Sequence, residues 1–434
     1  AGLIGDLDGS SLISGAGLLL NAQGTTAGHQ GIGAVGNALN TSVDTLALSS
    51  AGGDVVVTEV NTLTLGAVSV DVVGALGSVV TSSAEDVTLL GNGHVVLQVT
   101  SGDVTLTAGT GEVRATGSGN VRLEAVSGAL TLGAVIDAGT GAASVLSGAA
   151  QSYTAAADVL AGAGVDVQAG GAVTMVSGTV LQTVGTAIRV NAGGAVALGV
   201  LDARTALDRT NATTADQGNW GQVSVVAAGA LSDAAATVGV DVYAKVARVS
   251  ATGAVGAADA LDLEVSTLSL SAGGAVKLVE ASGLTLDNAA TTYRRVGTDG
   301  VLGAAVTDAA LGQGLAAGGT LDLSVGGALL VNAAVSAADT TVVSVTGALT
   351  QGANVTVSGS GKTLEVTAAS VAMSANAVQL GTNGGDLRVT TTSGDMTLST
   401  VSAVNGSSKG DVALVSAGLI GDLDGSSLIS GAGL

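Results

Sequence analysis

One phrase recurs through this 434-residue chain. Glycine is followed by glycine, aspartate or alanine, and then by an apolar–any–apolar triplet. It reads GGDVVV at 52–57, SGDVTL at 101–106, SGALTL at 127–132, GGAVTM at 170–175 and GGAVAL at 193–198. It returns as GGAVKL at 273–278, GGALLV at 326–331, GGDLRV at 384–389, SGDMTL at 393–398 and KGDVAL at 409–414. Successive phrases often place their glycines at a steady interval, as from Gly102 to Gly128 and from Gly171 to Gly194. A turn-plus-strand unit returning at about 20–26 residues is one coil of a β-solenoid.

The segments between the phrases agree with this reading. DVVVTEVNTLTL (54–65), DVTLLGNGHVVLQVTSGDVTLTA (86–108) and TLDLSVGGALLVNAAV (320–335) are rich in Val, Thr and Leu and are punctuated by Gly, Asn, Asp and Ser. Those are strand signals. Helical spacing is sustained nowhere, and 202–217 is the best local candidate for a helix. The chain has no Pro, no Cys and no Phe, with three Tyr and one Trp as its only aromatics. A 434-residue globule normally draws much of its buried area from aromatics. A core of Ala, Val and Leu suits a narrow, regular cross-section instead. Proline would remove a ladder donor from a coil, so its absence fits. Glycine admits the left-handed backbone that tight corners need. Inward positions should stack as aliphatic ladders, while the outward Thr, Ser and Asp face water.

A longer repeat overlies the short one. AGLIGDLDGSSLISGAGL fills residues 1–18 and returns without a mismatch as residues 417–434, an offset of 416. The chain therefore reads as one tandem unit, 1–416, followed by the start of an identical one, 417–434. Polar inserts near 203–222 and 288–315 interrupt the coils. At about 22 residues per coil one period makes roughly 19 coils, a rod on the order of 90 Å at the usual strand spacing. Residues 1 and 417 would then hold equivalent places on one continuous solenoid.

The GGAVTM, SGDVTL and AGGAVKL phrases resemble the repeat region of the filamentous haemagglutinin family, large secreted bacterial adhesins and exoproteins. The resemblance runs over nearly the whole chain. It implies a right-handed parallel β-helix shaft at the bacterial cell surface. The Asn-rich motifs of that family's secretion domain are not recognisable here. The long repeat looks more like those of giant bacterial surface proteins.

Charge narrows the partners. Thirteen Lys and Arg against 34 Asp and Glu give a net charge of −21. Nucleic acid needs a basic surface, and anionic lipid is disfavoured for the same reason. No run approaches the ~20 apolar residues of a membrane helix, so no membrane insertion is expected in this segment. The expected partners are further copies in tandem and neighbouring fibres. The expected function is structural: a segment of an extracellular fibre or adhesin shaft. The alternative is an adhesive module whose projecting loops contact a receptor, a glycan or a neighbouring fibre. An enzyme is not expected, because carboxylates are scattered singly and no nucleophile elbow is present. Thr-x-Thr runs such as TLTL at 62–65 hint at ice binding, but they do not recur at every coil.

Three places could hold chemistry. Asp6 and Asp8, copied as Asp422 and Asp424, share one face of a strand before a glycine. They read either as a solvated turn or as oxygen ligands for calcium between coils. No other cofactor is expected. The first insert holds Trp220, Arg204 and Arg209; the second holds Tyr293, Arg294 and Arg295. Aromatic–arginine clusters are enriched at binding surfaces, so projecting inserts would present them to a ligand. The competing reading has them cover an irregular coil, with Trp220 packed on the shaft. His29 and His94, the only histidines, stand in no metal-ligand spacing and read as surface residues.

Overall fold

A computed structural model of the chain describes residues 3–6, 9–24, 30–234, 239–374, 378–423, 425 and 428–432. Short strands dominate, and among the described residues 42 of them join in mainly parallel ladders, as a parallel β-solenoid requires. Helix among the described residues is limited to Ala206–Asn211 and the 3-10 turn Gln217–Asn219, inside or beside the segment the sequence offered as its best helix candidate. The chain divides into two compact units: Ala1–Thr213 with Thr292–Val306, and Thr214–Thr291 with Thr307–Leu434.

In the first unit three strands per coil build three ladders. One runs through Val95–Val99, Val121–Ala125, Ala142–Ser147, Gly164–Ala169 and Ile188–Ala192. The next runs through Val104–Leu106, Leu130–Leu132, Gln151–Tyr153, Val173–Met175 and Val196–Leu198. The third runs from Val87–Leu89 through Val113–Ala115, Ile136–Asp137 and Val159–Leu160 to Val180–Gln182. The second unit repeats the plan, with Leu321–Val325, Thr341–Val345, Leu364–Ala368, Leu387–Thr391 and Val412–Val415 as one ladder.

The register measures the coil. Val95 stands against Val121, then Ala143, Val165 and Ile188. Those steps match the interval between the glycine phrases. Two coils are nearly twice as long: Val55 stands against Val95, and Val276 against Leu321. The second of these holds the insert expected near 288–315. The first holds an insert beyond the two expected: an antiparallel hairpin, Val68–Val73 with Val79–Ala84.

Inward residues stack in columns. Val95, Val121, Ala143, Val165 and Ile188 are all buried, and each Val or Ile contributes roughly 1.5–3 kcal/mol by leaving water. Tyr153 is the one tyrosine inside; its hydroxyl donates to Gln151 Oε1 at 2.7 Å. Its burial pushes the phenol pKa well above the ordinary value.

The recurring glycines have a different cause from the one expected. Only Gly53, Gly102 and Gly384 of the quoted phrases have positive φ. Most of the others, and the glycines of the corner at 93, 119 and 141, stand where one coil's backbone lies against the next. A Cβ on Gly119 would lie 1.7 Å from the carbonyl oxygen of Gly93, and one on Gly141 would lie 1.9 Å from that of Gly119. A side chain does not fit at these close approaches, so the glycine recurs in successive coils from Gly93 to Gly141.

The Asp and Asn side chains beside those glycines are not merely solvated. At a corner the ladder lapses, and an amide needs another acceptor. Asp54 Oδ1 accepts the His94 amide at 2.8 Å, Asp103 Oδ1 that of Ala129 at 2.8 Å, and Asn120 Oδ1 that of Ala142 at 2.9 Å. In the second unit Asp386 holds the Asp411 amide at 2.9 Å and Asp395 holds that of Leu419 at 2.8 Å. Each such side chain ties its coil to the next.

Candidate functional site

The duplicated segment uses opposite edges in its two occurrences. In the first, Ile4 bridges forward to Ile32, and Leu12, Ile13 and Ser14 pair with Asn40, Thr41 and Ser42 of the following coil. In the second, Ile420 pairs backward to Met396, and Leu428, Ile429 and Ser430 pair with Thr400, Val401 and Ser402 of the preceding coil. The same residues of the repeated phrase pair in both. Each occurrence leaves its other edge open, and apolar residues lie exposed there: Leu12 is 54% exposed and Leu428 is 59% exposed.

Of the four carboxylates proposed for calcium, Asp8 and Asp424 lie outside the described residues. Asp6 is buried and accepts from the Ser11 amide at 3.1 Å and from Asn40 Nδ2 at 3.4 Å, while Asp422 is exposed. Among the described residues no group of three or more His, Cys, Asp or Glu stands where it could hold a metal ion.

The first insert turns its candidate side chains inward. Arg204 grips Asp202 with Nε at 3.0 Å and Nη2 at 2.8 Å. Arg209 grips the same carboxylate with Nε at 2.9 Å and also donates to the Thr183 carbonyl at 2.7 Å. Burial would raise the Asp202 pKa, but the two guanidiniums outweigh it and hold it below the ordinary value. Trp220, of the second unit, is buried edge-on to Tyr243, with ring centroids 6.2 Å apart. The insert thus packs these three side chains, while its residues 210–215 lie exposed.

Residues 292–306 belong to the first unit despite their place in the chain. They form a strap over the outward column of one ladder, tightened by a Val296–Leu302 bridge. Asp166, fully buried beneath it, receives Arg295 Nε at 2.6 Å and Arg189 Nη1 at 3.4 Å. Arg295 Nη2 also reaches Gln168. The Ser144 hydroxyl accepts the Val296 amide at 2.9 Å, and Arg122 Nη1 donates to the Val296 carbonyl at 2.6 Å. Tyr293 lies under the Arg189 guanidinium, 4.2 Å from its ring centre. Burial alone would lower the Arg295 pKa; the Asp166 contact outweighs it and raises it. Of the three residues flagged here, only Arg294 points outward. Beside the strap, Arg122, Glu124, Gln168 and Arg295 line an open polar cleft of ≈ 280 Å³. His94 is half-buried at the strap's end, where its Nδ1 accepts the Asn120 amide and Gly300 closes over the ring. It is therefore not the free surface residue expected. His29 lies outside the described residues.

Two of the buried glutamates, Glu59 and Glu280, were not anticipated, although the sequence carried their signal. TLALSSAGGDVVVTEV at 45–60 and TLSLSAGGAVKLVEA at 267–281 follow the same pattern. Both place near their end a glutamate that is 1% exposed. Glu59 accepts from Thr41 Oγ1 at 2.7 Å and from the amides of Val43, Val60 and Asn61. Glu280 accepts from the amides of Val265 and Ser282. The Ser282 hydroxyl donates chiefly to Glu264, at 2.5 Å. Burial, reinforced by Glu264, pushes the Glu280 pKa up to about 8. Asp241 is likewise pushed up to about 8, by burial and by Asp233 and Asp262.

Compared with known proteins, the chain matches no protein-family model, no curated protein and no solved structure.

Proposed function

We propose that this chain is a structural segment of a long solenoid shaft built from tandem copies of residues 1–416, working as an extracellular bacterial surface fibre rather than as an enzyme. The observation that carries the reading is the two-edged use of the duplicated segment. Its residues pair forward in one occurrence and backward in the other, at the same positions. A coil with both edges in use continues the ladder from one copy into the next. The resemblance of the recurring phrase to filamentous haemagglutinin shafts supports a location at the bacterial surface.

The proposed work is mechanical. A continuous ladder exposes strand edges only at its ends, and an acidic surface keeps neighbouring shafts apart. Such a shaft needs no cofactor. Electron microscopy of material shed by the source cells tests the proposal. The expected result is a thin, unbranched fibre with an axial repeat on the order of 90 Å. Discrete compact particles would overturn it.

A further inference from the structure

The 68–84 hairpin of the first unit presents a run of apolar side chains to solvent. Only Val68, at its root, is buried, and it sits on Gly17, where a Cβ would meet Val68 Cγ1 at 3.2 Å. Every residue from 69 to 83 is exposed. Val72 is 60% exposed, Val73 67%, Leu76 99% and Val80 63%. A monomer gains nothing by presenting such a tip to water, and contiguous apolar patches of this kind mark contact sites.

The hairpin leans back over the strands Leu12–Ala22 and Leu39–Ser50, toward the open edge of the duplicated segment. The second occurrence of that segment says what would lie beyond. Gly431 and Ala432 are the counterparts of Gly15 and Ala16. The Ala432 amide donates to the Gly410 carbonyl at 2.7 Å, and the Ala403 amide donates to the Ser430 carbonyl at 2.9 Å. In a tandem array the corner formed by residues 403–410 therefore stands one coil before Gly15–Gly17. That corner is itself a small hairpin, Val404–Asn405 with Ser408–Lys409. Val68 already lies against Gly17, so from the root of the hairpin the corner is about one further coil step, about 5 Å, and a six-residue strand reaches about 20 Å. Asp71 is the only charge on residues 68–84, and Lys409 is the only charge on 403–410.

We propose that the 68–84 hairpin is a clasp between copies: its apolar tip closes over the 403–410 corner of the preceding copy, with Asp71 facing Lys409. The proposal rests on the tandem reading above. It assigns the exposed valines and Leu76 a second copy of this chain as their partner.

The absence of cysteine makes the test direct. In a protein of two copies, residues 1–416 followed by 1–434, cysteine pairs are introduced and probed with a short bismaleimide. Ser14→Cys in the second copy is paired with Ser402→Cys in the first, and separately with Ser42→Cys in the second; these report the junction. Leu76→Cys in the second copy with Ser407→Cys in the first reports the clasp. The expected result is efficient, concentration-independent linking of all three pairs, with the third lost on Val73→Asp while the first two persist. Junction pairs that link without the clasp pair would overturn the clasp and leave the tandem reading standing. Failure of either junction pair would overturn both. Binding of the unmodified protein to phosphatidylcholine vesicles, abolished by Leu76→Asp, would reassign the hairpin to lipid and overturn the proposal.

Discussion

Two inserts leave the solenoid after the same triplet, LTL at 63–65 and at 284–286, and they behave in opposite ways. The later one is polar and arginine-bearing, and its residues 292–306 lie down on the first unit, where Arg295 meets a buried aspartate. The earlier one is apolar, and although its root rests on the coils its residues 69–83 are all exposed. Composition would assign the roles the other way round, the polar loop to the surface and the valine-rich segment to the core. The difference teaches that on a solenoid an arginine's destination depends on whether an unmatched carboxylate waits on the outer face. A valine alternation builds core only if the next coil lies beneath it.

The comparison breaks most sharply at Asp166. Replacing it with alanine leaves the guanidiniums of Arg189 and Arg295 without that carboxylate. Losing one partner of a buried ion pair costs about 3–5 kcal/mol, so Asp166→Ala should lower the unfolding free energy of the first unit by that order in urea titration. A loss under about 1 kcal/mol, the scale of an exposed pair, would mean that the strap is decoration and the two inserts are alike.

The next effect depends on pH and belongs to the second unit. The Glu280 pKa is raised from its ordinary value to about 8 in the folded chain. The folded state thus holds a proton that the unfolded state releases near its ordinary carboxylate value. Stability from this group is fully present below the unfolded pKa and is lost as pH rises through about 8. Second-unit stability should fall by a few kcal/mol between about pH 5 and pH 9, of the order that such a shift implies. Glu280→Gln should flatten that slope. An unchanged slope in the variant would place its origin at Asp241, the other carboxyl pushed up to about 8.

Limited proteolysis gives a smaller, local contrast. A protease specific for leucine should cut at Leu76 well before Leu302, because an exposed tip opens at little cost while a bonded strap must first detach. Smallest of all is Leu76→Asp in the single chain. With nothing packed on that side chain, its unfolding free energy should shift by no more than about 0.5 kcal/mol. A larger loss would mean that the tip is already docked.

Much of the fold was legible because a solenoid writes its period locally. The Gly–apolar phrase marks each corner, and the register steps from Val95 to Val121 and from Val165 to Ile188 fall where the phrases predicted. The reason for the glycines was not legible, since close approach between Gly119 and Gly93 depends on two coils at once. The destinations of Arg295 and Trp220 were hidden for a related reason: each was decided by a distant neighbour, Asp166 or Tyr243. The 68–84 hairpin was missed because its alternation is that of any coil, and only the long step from Val55 to Val95 betrays it. The duplicated phrase was plain in the sequence, and the structure adds that its two occurrences pair on opposite edges.

Hydrogen exchange at the junction tests the central claim most directly. In a two-copy protein the amides of Leu12, Ile13 and Ser14 of the second copy would lie between the preceding coil's Thr400–Ser402 and the following coil's Asn40–Ser42. The account predicts that they exchange as slowly as those of Val121–Ala125, deep within a ladder, and far more slowly than Leu428–Ser430 at the end of the same protein. Equal, rapid exchange at both places would mean that the copies do not join into one ladder, and would contradict the account.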